Sequence, residues 1–262
     1  MSARTKLRPK LRRFIDQVIA AIVLLVIWQL GSQMGENGKW VSSPLAVAQR
    51  IWEMAVEGDL EMHVWQTLQE AILGLFAGVV LGTAIGLVLG YWERFSNAVD
   101  PVLMGIYSLP KVSLAPLFIV WFGIGLEAKV ALVVSLVMFI VLYNVREGIK
   151  TIDPDLVDAF RAMKASRWQM LRLVVAPSLL PWLLTALRIS IGASLIGAVV
   201  AELVGSSRGL GWYVSSATAI YDITGSITAL VVLGIMAMIF NTVLARLEAR
   251  TMSWRRGANL TD

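Results

Sequence analysis

The sequence predicts an all-α fold, a polytopic membrane bundle of six transmembrane helices, from three observations. Of its 262 residues, 57% are hydrophobic and only 16% are charged, where a soluble domain carries about 45–50% apolar and about 25% charged residues. Six runs are long and apolar enough to cross a hydrocarbon core of ~30 Å, which takes about 20 residues of helix. The basic residues concentrate on alternate connections between those runs, the asymmetry that orients membrane helices. With no cysteine, disulfides, iron–sulfur clusters and thiolate metal sites have no ligands. A single histidine, His63, argues against a histidine-built metal site or a Ser–His relay.

The elements follow in chain order. Val18 to Met34 is apolar apart from Gln29, Ser32 and Gln33, and is preceded by Arg4, Lys6, Arg8, Lys10, Arg12 and Arg13. A basic start also opens a cleaved signal peptide, but this run is long for a signal core and no clear small-x-small site follows, so a retained span is expected. Segment 36–67 is acidic, with Glu36, Glu53, Glu57, Asp59 and Glu61. Within it Pro44 can open a helix, and Val47, Ile51, Met54 and Ala55 recur on one face, predicting an amphipathic helix near the interface. His63 follows, either as a hydrogen-bonded interfacial histidine or as a pH-sensing or ligand group.

The second run, Leu68 to Trp92, carries one charge, Glu70. Its glycines, Gly74, Gly78, Gly82, Gly86 and Gly90, are each four residues apart. They form one stripe that lets another helix approach closely. The third run, Gly105 to Ile124, holds Lys111 between Pro110 and Pro116. That pattern fits either a kink with Lys111 snorkelling to headgroups or a broken helix lining a cavity. The fourth, Ala128 to Tyr143, has Lys129 at its start, and the fifth, Leu179 to Val204, contains Arg188 and Glu202. The fifth repeats the small-residue stripe with Ala193, Gly197, Ala201 and Gly205. The sixth, Ile223 to Ala245, has no charge. Trp40, Trp65, Trp92, Trp182, Trp212 and Trp254 lie near these boundaries, as in an aromatic belt.

Six spans put both termini on one side. Seventeen of the 23 basic residues fall there: six before Gln17, Arg94, six between Asn144 and Ser178, and four from Arg246 onward. The other side has Lys39, Arg50, Lys129 and Arg208. The positive-inside rule makes the richer side cytoplasmic. The net charge of +5 and pI of about 9.7 then reflect topology, with no call for nucleic acid. The expected layout is a basic N-terminus at 1–17, one transmembrane domain at 18–250 with an outer segment at 36–67, a cytoplasmic loop at 146–178, and a tail at 251–262.

That loop has helix-like spacing: Leu156, Ala159, Phe160 and Met163, then Trp168, Leu171, Val174 and Val175. Asp153 and Pro154 give a helix start, and a second short helix is expected near Ser166. Two short helices at an angle form a docking knob, since a helix laid in a groove is a common binding mode.

In its spacing the loop resembles the EAA loop of permease subunits of ATP-binding cassette importers. That pattern is Glu-Ala-Ala, three residues, Gly, nine residues, then Ile-x-Leu-Pro. Asp158-Ala159-Phe160 takes the triplet, Lys164 the glycine position, and Val174-Val175-Ala176-Pro177 the end, with Ala165-Ser166-Arg167-Trp168 between. Lys164 is the main departure, because glycine would relax the turn between the two helices. The stretches Ala115–Gly125 and Ala201–Trp212, the latter with its Arg-Gly-Leu-Gly run, and Leu187-Arg188-Ile189 are similar to segments of the nitrate/sulfonate/taurine/bicarbonate branch.

The resemblance implies a type I importer permease (MetI-like) fold in the bacterial inner membrane. Two copies would form the pathway for a small solute, expected to be anionic: a sulfonate, taurine, nitrate or bicarbonate. Aromatic acids and vitamin precursors, pyrimidine or riboflavin, are the alternative. Two separate ATPase subunits would dock on Asp158, Ala159, Phe160, Lys164, Ala165, Ser166, Arg167 and Pro177, and an extracytoplasmic binding protein would deliver substrate. No Gly-x-x-x-x-Gly-Lys-Ser/Thr run occurs here, so ATP and Mg are assigned to the partner subunits, and this chain is expected to be a transport permease with no catalytic residue of its own.

The ionisable residues within or beside the spans are the pathway or gate candidates. Lys111 and Arg188 either attract an anion, or pair with acids or snorkel. Glu202 and Arg208 either contact the binding protein or gate the outer mouth, or belong to a helix-end network. The glycines Gly74, Gly78, Gly82, Gly86, Gly90 and Gly197 are assigned to helix packing. An ion-coupled secondary transporter stays open as a second reading, and a membrane enzyme has little material to work with.

Overall fold

The computed structural model describes residues 7–33 and 41–251 of the chain, and every regular element among them is helical: α1 (Leu7–Gln33), α2 (Pro44–Glu57), α3 (Asp59–Tyr91), α4 (Glu93–Ser108), a short 3₁₀ turn (Lys111–Leu114), α5 (Ala115–Phe122), α6 (Leu126–Lys150), α7 (Pro154–Ala162), α8 (Arg167–Met170), a π turn (Leu171–Val175), α9 (Ala176–Gly205), α10 (Leu210–Ala219) and α11 (Ile223–Thr251). Met34, Glu36, Lys39, Trp40, Trp254, Arg255, Arg256 and all but the first residue of the 251–262 tail lie outside the described residues. Five helices are long and apolar enough to cross a membrane, and a sixth span is reached if one bent pair counts as one.

The chain divides into two compact units. The first combines residues up to Glu61 with Tyr213–Val231. The indole of Trp28 on α1 donates to the Ser42 carbonyl at 2.8 Å. Ser43 caps α2 by accepting from the Ala46 amide, Pro44 occupies the first turn, and Gly58 ends the helix at φ 85°. Val47 and Met54 turn inward and Ile51 is half-buried, but Ala55, assigned to the same face, is exposed. Arg50 reaches Asp222 at 3.2 Å, and Asp222 in turn caps α11 through the Gly225 amide. The apolar side chains of α1 face outward, Leu24 at 67% and Ile27 at 61% exposure, as expected of a helix whose solvent is lipid.

The second unit, Met62–Trp212 with the chain from Val232, is organised around α6. Leu132, Val133, Val137, Val141, Leu142 and Val145 are all fully buried. The glycine stripe of α3 faces the valines of α6: a Cβ on Gly78 would sit 2.7 Å from that of Val137, and one on Gly82 would sit 2.5 Å from the Met138 carbonyl oxygen. A four-residue glycine period thus meets a four-residue branched period, a groove accepting a ridge. On the opposite side Gly197 of α9 meets Leu136 and Val133, and Gly148 of α6 meets Leu179 and Trp182. The later half of α11 joins through Leu244, packed with Leu184 and Ile191 of α9.

Several boundaries differ from those the sequence predicts: α3 already begins at Asp59, so residues 59–67 of the expected outer segment are helix. The third apolar run, Gly105 to Ile124, is two helices meeting at 76°, α4 and the 3₁₀ turn plus α5. The chain is extended at Leu109 because the following Pro110 disfavours helix before it. Pro116 sits in the first turn of α5, where its missing N–H costs nothing. The fourth span continues to Lys150, so the first residues assigned to the 146–178 loop are helix. The fifth extends back to Arg167, giving one span of 39 residues. Pro177 follows the π turn, in which the Ala176 amide reaches back to the Leu171 carbonyl. One wide turn absorbs the disruption proline brings to the ladder.

Candidate functional site

The knob at 154–170 is built from local signals alone. Asp153 accepts from the Asp155 amide and Pro154 opens α7. The helix ends with Ala165 N–H donating to the Phe160 carbonyl at 3.0 Å and Lys164 N–H to the Arg161 carbonyl at 2.9 Å, a Schellman closure. That closure places Lys164 at φ 55°, the left-handed conformation that glycine adopts without strain. Lysine holds this turn at a cost of about 1–2 kcal/mol. Ser166 and Gln169 then form a reciprocal capping box that starts α8.

No residue of α7 is buried. Leu156, Met163 and Trp168 are 41%, 78% and 66% exposed, so the knob turns apolar side chains outward. Phe160 and Ala165 are half-buried beneath it, while Asp158, Ala159 and Arg167 are exposed. Asp158 pairs with Arg161 at 3.1 Å with both side chains more than 70% exposed, a contact worth at most about 1 kcal/mol.

Lys111 is buried. Its Nζ donates to the Tyr107 carbonyl at 2.7 Å and lies 4.8 and 4.7 Å from the ring centres of Tyr107 and Phe139. It neither snorkels nor stands free to attract an anion: it caps the negative C-terminal end of α4 and braces the break. Arg188, on α9, is ion-paired with Glu248 of α11. A further ion pair, between the buried Arg146 and the half-buried Asp100, ties α6 to α4.

Glu202 is the centre of a polar cluster at the ends of α3, α6 and α9. Its side chain is 1% exposed and that of Glu70 is 0%. Glu202 accepts from the Thr67 hydroxyl at 2.7 Å and from the Gly211 amide at 2.6 Å. Thr67 also accepts from the Leu210 amide at 2.9 Å, and His63 Nδ1 accepts from the Gly209 amide at 3.0 Å. The His63 ring stacks on Trp212 with centroids 5.3 Å apart. Lys129 donates to Glu70 at 2.6 Å and to Ser206 at 2.7 Å, and Gln66 also donates to Glu70.

The Ser206–Gly211 turn is thereby pinned from beneath by three helices. Its two glycines have separate reasons. Gly209 has φ +109°, and a Cβ there would strike the Glu202 carboxylate, whereas a Cβ on Gly211 would lie 2.5 Å from the Val199 carbonyl oxygen. Arg208 alone carries charge on this turn, and it is exposed. Of the proposed gate residues, Glu202 thus belongs to a buried network and Arg208 lies on the turn that this network holds.

Glu70, Lys129, Thr67 and Ser206 were not singled out from the sequence. A signal existed: the charges Glu70, Lys129 and Glu202 fall at the same end of their spans once alternating topology is assigned.

Comparison with known proteins locates this architecture. The family described as binding-protein-dependent transport system inner membrane component matches residues 74–251. The formylaminopyrimidine transport permease protein ThiX of Halalkalibacterium halodurans is 29% identical over 92% of this chain and 96% of its own. The taurine transport system permease protein TauC of Escherichia coli is 29% identical over 97% and 94%. Among solved structures, an inward-facing MetNI methionine ABC transporter aligns with a TM-score of 0.63 at 26% identity, over 71% of this chain and 92% of that one.

Proposed function

The chain belongs to the family of binding-protein-dependent transport inner membrane components, and on that premise we propose that it forms, with a second copy of itself, the substrate pathway of an importer driven by two separate ATPase subunits. The membership displaces the ion-coupled reading. ATP and Mg belong to the partner subunits, and an extracytoplasmic binding protein delivers the substrate. Both termini and the knob are cytoplasmic by the positive-inside rule.

One observation supports the ATPase docking site above others: a two-helix knob, each helix started by a side-chain cap, that buries none of α7 and exposes Leu156, Met163 and Trp168. Apolar side chains held rigidly outside the bilayer suit a groove on another protein. Nucleotide-driven closure of the ATPases would draw the two knobs together and open the bundle on the far side. The substrate proposed is a small sulfonate such as taurine, by similarity to the taurine permease. Similarity to the formylaminopyrimidine permease supports a vitamin precursor as the second reading. With Lys111 and Arg188 engaged internally, selection falls mainly to the binding protein.

The chain has no cysteine, so a single one introduced by Met163→Cys gives an unambiguous cross-link. Disulfide or maleimide capture of an ATPase subunit by that variant, lost when Leu156 is also changed to Asp, is the expected result. Capture that is absent in a complex which still transports would sink the docking role.

A further inference from the structure

A cleft of about 810 Å³ lies beneath the knob, between it and the ends of α3 and α6. Its apolar wall includes Leu87, Val88 and Ile149, which belong to the two spans Asp59–Tyr91 and Leu126–Lys150. Tyr91 and Trp92, also in the lining, are 53% and 66% exposed where α3 ends, the position of interfacial aromatics. The only charged residues that line it are Arg161 and Arg167, and no acid does. Arg161 is shared with Asp158, but through a solvent-exposed pair too weak to withhold the guanidinium from a stronger anion.

We propose that this cleft binds an anionic phospholipid of the leaflet on the knob side, its phosphate held between Arg161 and Arg167 and its upper acyl chain laid along Leu87, Val88 and Ile149. Three features converge on lipid rather than on a soluble ligand. The apolar wall is made by residues of two spans, the lining includes the aromatics where α3 ends, and the charge is of the sign that attracts anionic headgroups in basic pockets beside spans. Arginine suits the role because its planar fork grips phosphate at two points. The floor of the cleft is α3 and α6 and its roof is the knob, so the occupant is a wedge that sets how firmly the knob stands on the spans. This rests on the knob being the ATPase seat.

The test uses the assembled transporter in nanodiscs of phosphatidylcholine with or without phosphatidylglycerol. Native mass spectrometry is expected to find phosphatidylglycerol retained, with retention falling roughly thirtyfold in an Arg161→Gln/Arg167→Gln variant, each basic residue near an anionic surface supplying about a factor of five. The Arg161→Lys/Arg167→Lys variant should recover part of it. Substrate-stimulated ATP hydrolysis should rise with phosphatidylglycerol in the parent and not in the glutamine variant. Equal retention by parent and glutamine variant would overturn the proposal. So would reproduction of the effect by inorganic phosphate in phosphatidylcholine discs, which would make the site one for a free anion. Loss of the ATPase subunits from the glutamine variant with phosphatidylglycerol still bound would assign the arginines to the protein interface and overturn it too, whereas failure of the Met163→Cys cross-link alone would strike the docking reading and leave lipid retention as it stands.

Discussion

The turn at Ser206–Gly211 and the helix pair at Pro154–Met170 are both short polar connections at the ends of long helices, and they dispose of their polar groups in opposite ways. The turn spends them inward. Three successive amides, those of Gly209, Leu210 and Gly211, go to His63, Thr67 and Glu202, and the surrounding charges are sealed from solvent. The knob spends its polar groups on its own caps and leaves apolar side chains outside. Where every donor has a buried partner, a segment is fixed in place by its own chain. Where apolar surface is rigidly displayed, a second chain is being invited.

The sharpest way to break this contrast is to remove Lys129. Lys129→Met would leave Glu70 and Glu202 buried without a cation, and a broken buried ion pair costs about 3–5 kcal/mol. Denaturation of the purified protein in detergent should show that loss, and Glu70→Leu in the same chain should return most of it. A Lys129→Met protein as stable as the parent would refute the reading of the cluster as a tie.

Thr67→Val is a finer cut. It removes the hydroxyl that bridges Leu210 and Glu202 and should cost about 1–3 kcal/mol, the penalty of buried polar groups left unpaired. Faster hydrogen exchange at the Leu210 and Gly211 amides would report it locally.

At the knob the balance reverses. Trp168→Ala should change stability by no more than about 0.5 kcal/mol, as an exposed substitution does, yet reduce co-purification of ATPase subunits about tenfold, as loss of an aromatic anchor does. A stability loss with intact assembly would make Trp168 a core residue instead. The smallest effect belongs to Lys164→Gly, expected to stabilise by up to about 1 kcal/mol by relieving a left-handed lysine, with Lys164→Val going the other way. Thermal unfolding of the pair of variants measures both signs.

Much of this was legible in the sequence for reasons that are local. The six apolar runs, the cap at Asp153, the restart at Ser166 and the glycine stripe each depend on neighbours within a few residues. What was not legible depends on distant ones. The stripe announced a close-packed helix but could not name α6, because the partner valines lie about sixty residues away. Pro110 and Pro116 marked the third run as interrupted, but the choice between a kink and a full break stayed open because hydropathy does not register the extended backbone that Pro110 imposes on Leu109. Whether Lys111 snorkels, pairs with an acid or attracts an anion stayed open because its acceptors are carbonyls of the preceding helix, which every sequence has and none displays. Glu70 and Lys129 looked like boundary charges until three helix ends were brought together.

The unbroken helical path from Arg167 to Gly205 joins the two contrasted regions. At 39 residues it is about 58 Å long, with the knob's capping box at one end and Glu202 near the other. A rod of that length acts as a lever: a small tilt forced at the knob end displaces the far end by a comparable angle without any relay of side-chain rearrangements. The π turn at Leu171–Val175 interrupts its regularity one turn from the point where force would enter, so its winding sets how much of each stroke is transmitted and how much is lost as slack.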